Sequence, residues 1–264
     1  MARLQSPARV LALAPSDKRS KQSRCVFAVR SNEMSDRNQE WLGIWENKYG
    51  QEHHGQELHV LDGCDGMSCD EWHRLASFFL DRLNIGPSDD VLEVGCGVGA
   101  FLSEIPQCGS LSGIDYSENA ISVIRGHLQG RFETAGAADL PFTDASFDVV
   151  LSFGVYLYFD SHDYARRAFQ EMHRVCRPGG TIFIGEVNDL AKRDLARRLR
   201  DESSKERAKK HLSEGNPDHI YYPKDFFREL AAEKDLNIEF YDEDVPELTF
   251  YYNGSYRYSV AMSP

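Results

Sequence analysis

The stretch 90–102 narrows the fold more than any other part of this 264-residue chain. Val91, Leu92 and Val94 make a short apolar run, Gly95, Gly97 and Gly99 follow at alternate positions, and Ala100, Phe101 and Leu102 resume an apolar pattern. That order describes a buried strand, a glycine turn and the start of a helix. The chain then repeats it. Apolar runs at 111–114, 149–151 and 181–184 alternate with helical patterns at 100–105, 120–128 and 164–176, the last halted by Arg177, Pro178, Gly179 and Gly180. Short buried runs separated by helices predict a parallel sheet covered on both faces, an α/β doubly wound fold.

Upstream, Trp41, Leu42, Ile44, Trp45 and Tyr49 fall at helical spacing, and Ser68 with Glu71 announces a capped helix carrying Trp72, Leu75, Phe78, Phe79 and Leu83. N-terminal helices are therefore expected over 38–85, ahead of a core at 88–186. A charged insertion is expected at 187–235, with a helix over about 224–234. Strands at 237–241 and 256–262 predict a closing hairpin within 236–264 and an antiparallel sheet edge.

Residues 1–33 hold seven basic residues and only two acids, Asp17 and Glu33. Two readings of this leader stand side by side, a transit peptide and a disordered extension upstream of Met34. They give different locations: cytoplasmic for the extension, mitochondrial or plastid for the transit peptide, intracellular in either case. The whole chain carries a formal charge of -12, which argues against general affinity for DNA, RNA backbone or an anionic membrane. No stretch approaches 18 apolar residues, so no membrane span is expected. Six cysteines without a CxxC pair suggest reduced thiols. Cys64, Cys69 and His73 match no common zinc spacing.

Glycines at a strand end let backbone approach a ligand closely, and the helix that follows offers free N–H groups. Glu93, two residues before the first glycine, suits a ligand with positive charge better than a pyrophosphate. Asp115 ends the next apolar run, where its carboxylate can accept from both hydroxyls of a ribose, and Tyr116 beside it can lie against an adenine. A nicotinamide dehydrogenase also uses glycines and an acid at this spacing, but it leaves Glu93 without a role. A second alternative gives the glycines only a packing role.

Glu93 through Gly99, Asp115, Leu140-Pro141-Phe142 with Ser146-Phe147-Asp148, and Arg177-Pro178-Gly179-Gly180 together resemble the class I S-adenosylmethionine-dependent methyltransferases, most like the type 11 branch. The resemblance spans roughly 88–186. It implies a Rossmann-like, mostly parallel seven-stranded sheet in the order 3-2-1-4-5-7-6 with an antiparallel last strand. It also implies S-adenosyl-L-methionine as cofactor, held by Glu93, Gly95, Gly97, Gly99, Asp115, Tyr116, Ala137, Ala138 and Ser152. Gly136 departs from the family, which often has an acid there for the adenine.

Methyl transfer to a hydroxyl needs a general base within reach. Candidates at strand ends or in the loops above them are His162, Glu186, Asn188, Asp189 and His219; Asp189 has the alternative of capping a helix, and His162 of a solvated loop. Tyr156, Tyr221 and Tyr222 are candidate substrate contacts, with the 219–223 segment either a lid or a hydrophobic anchor. The chain after Leu151 lacks the Asn/Asp-Pro-Pro-aromatic turn of base and amide methyltransferases and the paired glutamates of the protein arginine enzymes. Neither does it carry the acids of metal-dependent catechol enzymes, so no metal is expected. A small-molecule O or N acceptor is the first expectation, with a protein side chain second and a catalytically silent binding protein third. The basic run 192–210 reads as a solvated helix face, or as a contact for an anionic substrate or RNA.

Overall fold

The computed structural model describes residues 35–51, 55–208 and 218–264. The leader at 1–33 and the last positions of the basic run, 209–210, lie outside the described residues. Seven strands, β1 Asp90–Val94, β2 Ser110–Asp115, β3 Arg131–Thr134, β4 Phe147–Phe153, β5 Cys176–Asn188, β6 Asn237–Asp242 and β7 Arg257–Ser263, form one sheet in the order β3-β2-β1-β4-β5-β7-β6. The first five pair in parallel, and β7 runs antiparallel to both β5 and β6. This is the α/β doubly wound sheet expected from the sequence, with its antiparallel last strand. Strand order reverses beside β1, so the carboxyl ends of β1 and β4 open a crevice of the kind in which such sheets bind ligands.

Side chains alternate across the strands, and each face is covered. Val91, Val149, Leu151 and Phe183 pack against Trp72, Leu75 and Phe79 of the helix Cys69–Leu83. Leu92, Val150, Ile182 and Ile184 pack against Phe169 and Met172 of the helix His162–Val175 and Phe227 and Leu230 of the helix Lys224–Glu233. The expected cap is present, with Ser68 accepting from the Glu71 N–H and the Glu71 carboxylate accepting from the Ser68 N–H at 2.9 Å.

With the helices numbered along the chain, α1 is Asp36–Tyr49, α2 Leu58–Leu61, α3 Cys69–Leu83, α4 Glu118–Ile124, α5 His162–Val175, α6 Arg193–Ala208 and α7 Lys224–Glu233. Three expectations are revised. The helix anticipated at 100–105 shrinks to the 3-10 turn Leu102–Glu104, squeezed between Gly99 at φ +89° and Pro106. Strand β3 has no counterpart among the apolar runs, because Phe132 is its only buried side chain. Finally, β5 already pairs at Cys176 with Phe147, and its next partnered residue is Thr181 opposite Val149. The residues between bulge out, and Arg177 there holds Asp90 at 2.8 Å and Asp148 at 2.5 Å.

Candidate active site

The glycine turn leaves β1 with Gly97 at φ +51°, a left-handed conformation that glycine adopts without cost. A Cβ at Gly97 would lie 2.3 Å from Oδ1 of Asp62. Asp62 follows α2 and reaches into the turn, accepting from the N–H of Val98 at 2.9 Å and of Ala100 at 3.0 Å. Tyr49 donates its hydroxyl to the same carboxylate at 3.0 Å. Gly95 and Gly99 are also left-handed, at φ +82° and +89°, and their would-be Cβ atoms meet Val155 and Ile124. The turn thus packs as well as binds.

Asp115, at the end of β2, accepts from the N–H of Gly97 at 3.0 Å and of Ser117 at 2.9 Å. Each oxygen keeps a second acceptor site for a ligand hydroxyl. Glu93 is buried on β1, and its Oε2 has no hydrogen-bond partner. Burial raises Asp62 to about 6 and Asp115 to about 7, against the backbone N–H groups that favour their charged forms. Burial first, then Asp62 and Asp115, holds Glu93 well above the usual carboxylate range. Three acids crowd one crevice, and an unpartnered buried oxygen among them costs free energy until a donor or cation meets it.

A second, aromatic region adjoins the ends of β4 and β5. Trp45 stacks on Tyr49 and meets Tyr158 edge-on, and Tyr158 in turn meets Trp41 and His219. An aromatic series therefore runs from the Asp62 side of the crevice to His219. The His219 ring stacks on Trp41, and its Nδ1 is buried without a partner. Burial, then the cations Arg200, Arg257 and Arg37, push its pKa well below the ordinary histidine value, so the ring is neutral at pH 7.

Glu186 sits in a bulge where the β5–β7 register shifts between Ile184 and Val187, at φ +65°. The bulge turns its side chain out of the ladder. Its Oε2 accepts from Tyr251 and Arg257, while Oε1 is unpartnered. Glu243, buried nearby, accepts from Ser259 at 2.7 Å, and burial followed by Glu186 holds it well above the usual carboxylate range.

The remaining candidates sort by contact. Asp189 caps the turn after β5, accepting from the N–H of Ala191 at 2.9 Å, which is the capping role weighed for it. His162 starts α5, with Nε2 2.9 Å from the Tyr221 carbonyl and its ring against Tyr222 and Phe226. Tyr156 and Tyr222 were expected to touch substrate and instead belong to the core: both are fully buried, Tyr156 donates to the Met172 sulfur at 3.6 Å, and Tyr222 donates to the Tyr156 carbonyl at 2.9 Å. Tyr221 lines an open cleft, and its hydroxyl is unpartnered. Ser152 is buried and donates to the Val94 carbonyl at 2.8 Å, which ties β4 to β1 and directs its hydroxyl into the sheet. Ala137 is buried and Ala138 half-buried, with the Tyr164 hydroxyl against their backbone. Tyr116 is half-buried beside Asp115. Sequence reasoning missed Asp62, Tyr158, Glu243 and Arg257. No group of three or more His, Cys, Asp or Glu among the described residues could hold a metal ion, and no described helix is long and apolar enough to cross a membrane.

A doubly wound sheet with an acid-lined glycine turn at its switch point is the architecture of a nucleoside-cofactor enzyme. Residues 92–184 match the type 11 family described as Methyltransferase domain, which supports a class I S-adenosylmethionine-dependent methyltransferase domain over that stretch. It is 33% identical over 113 residues to Probable tRNA methyltransferase 9B of Mus musculus, covering 43% of this chain and 24% of that one. It is 31% identical over 124 residues to Methyltransferase GfsG of Streptomyces halstedii, covering 43% of each. The chain therefore spans less than half the length of these curated relatives. The magnesium protoporphyrin IX methyltransferase ChlM from Synechocystis PCC 6803, solved with bound SAM, shares the fold at a TM-score of 0.57 and 14% identity, over 88% of this chain and 99% of that one.

Proposed function

We propose that the protein transfers a methyl group from S-adenosylmethionine to an O or N nucleophile of a small molecule. The observation that carries this reading is the occupation of the turn by Asp62. In a dinucleotide site the N–H groups after the glycines hold a pyrophosphate, but here those of Val98 and Ala100 already serve a carboxylate. A phosphate placed there would face Asp62, Glu93 and Asp115. A ligand with an ammonium and a sulfonium meets them favourably, and the unpartnered Oε2 of Glu93 fits such a group.

Glu93 and Asp62 would hold the cationic end of the cofactor, Asp115 its ribose hydroxyls, and Tyr116 with the 136–138 backbone its base. Bound there, the cofactor supplies an activated methyl group that leaves a neutral thioether behind. The chain's remaining tasks are to align the nucleophile and exclude water. The aromatic wall of Trp41, Trp45 and Tyr158 excludes water, and neutral His219 accepts the proton of the nucleophile at Nδ1. Glu186, tied to Arg257 and Tyr251, serves as a fixed polar wall. Asp189 and His162 hold backbone in place, and Tyr221 bounds the cleft.

Methyl-labelled cofactor incubated with the protein and a size-fractionated cell extract tests this. Label is expected in the low-molecular-weight fraction. Label confined to protein or RNA would overturn the acceptor class, and no turnover with intact cofactor binding would leave a silent binding protein.

A further inference from the structure

Beside the aromatic wall, and sharing His219 with it, a cleft of about 670 Å³ is lined by Arg37 of α1, by Arg193, Arg197 and Arg200 of α6, and by His162 and His219. Positions 193, 197 and 200 fall on one helical face. The neighbouring face carries Leu195, Ala196 and Leu199 against Tyr221 and Tyr256, which turns the arginine stripe toward the cleft. Arg200 lies over the rings of Tyr221 and Tyr256 at 5.6 Å each. Four buried polar atoms here have no partner: Nε of Arg37, Nη2 of Arg200, Nδ1 of His219 and the Tyr221 hydroxyl. Arginine nitrogens can only donate, so buried and unpartnered they call for an acceptor with negative charge.

We propose that this cleft binds a compact anionic group, a carboxylate or a phosphate monoester, borne by the methyl acceptor. The assignment rests on the methyl-transfer reading for the word acceptor, whereas the anion site stands on its own geometry. Arginine presents a planar fork that matches both groups. The volume suits a small ligand. Asp163, Asp201 and Asp218 stand on the same rim, and the chain carries -12 overall, so a polyanion such as RNA is repelled where a single anionic group is not. Anchored by the arginines, such a molecule presents its nucleophile toward His219, which belongs to both the cleft and the aromatic wall.

Inorganic phosphate and sodium benzoate are titrated separately into the full chain at constant ionic strength, with sodium chloride as the control and tryptophan fluorescence as the readout, since Trp41 stacks on His219. Binding of one or both above chloride is expected, and the stronger probe names the source of the anion. Arg197→Glu, at an exposed position, is expected to weaken it by about tenfold or more, while Arg197→Lys retains most of it. Calorimetric titration of S-adenosylhomocysteine into both variants should give the wild-type affinity. No binding beyond chloride, equal affinity in Arg197→Glu, or arginine-dependent binding of tRNA in place of both small anions would each overturn the proposal. Failure of the wild-type chain to bind S-adenosylhomocysteine, with anion binding intact, would count against the methyl-transfer reading alone.

Discussion

Two regions at one end of the sheet carry opposite charge and were built in opposite ways. Around β1 and β2, the acids Glu93 and Asp115 stand within one strand–turn–strand unit, and only Asp62 comes from outside it. Around β4 and β5, the arginines and His219 come from α1, α6 and the segment ahead of α7, three stretches brought together only by the fold. The first region holds a fixed ligand chemistry in local sequence. The second is less constrained by the sheet, because its residues sit on elements outside it.

Gly97→Val should break the first region most completely. Its branched side chain meets the Asp62 carboxylate, and loss of measurable S-adenosylhomocysteine binding by calorimetry is expected. Retention of the cooperative thermal transition would locate the damage in the site, whereas a lost transition would favour the packing role of the turn. In the second region, His219→Ala is expected to lower kcat by roughly a hundredfold or more, the scale of a lost general base. Cofactor affinity should remain unchanged, and an unaltered kcat would remove His219 from the proton path. Asp115→Ala should cost about 1.5–3 kcal/mol of cofactor affinity, again by calorimetry, with no effect on anion binding.

Tyr221→Ala sharpens the comparison with a smaller effect. If the 219–223 segment is a lid, turnover falls and stability holds. A loss of roughly 3 kcal/mol in chemical denaturation would show an anchor.

The strands of the parallel core were legible because their apolar runs are continuous and bounded by glycine or proline, whereas their order came only with the family resemblance. Glu93, Gly97 and Asp115 were legible for the same reason, being fixed to strand ends by spacing. Asp62 was not, since nothing in a short helix ending before Gly63 says that its carboxylate will cap a turn 36 residues later. Glu243 and Arg257 escaped notice because the pairing of Arg257 with Glu186, and the closeness of Glu243 to both, depend on the β5–β7 bulge, a register shift without a composition signal. Tyr156 and Tyr222 looked like substrate contacts because aromatic residues at strand ends serve cores and pockets alike. The basic run 192–210 read as a solvated face, and only the packing of Leu195 and Leu199 shows where Arg193, Arg197 and Arg200 point.

The central claim is that buried acids hold a cationic cofactor, and proton linkage tests it most directly. Asp62 and Asp115 are raised from the ordinary carboxylate value to about 6 and about 7. The folded protein therefore holds protons that the unfolded chain releases, and its intrinsic stability falls as pH rises from about 4 to about 7. A bound cation favours the ionised acids, so binding should release protons in that window. Calorimetric titration of S-adenosylmethionine between pH 5.5 and 8, in two buffers of different ionisation enthalpy, is expected to show affinity rising with pH and net proton release near pH 6–7. Affinity independent of pH with no proton release, or binding of NAD in its place, would contradict the account.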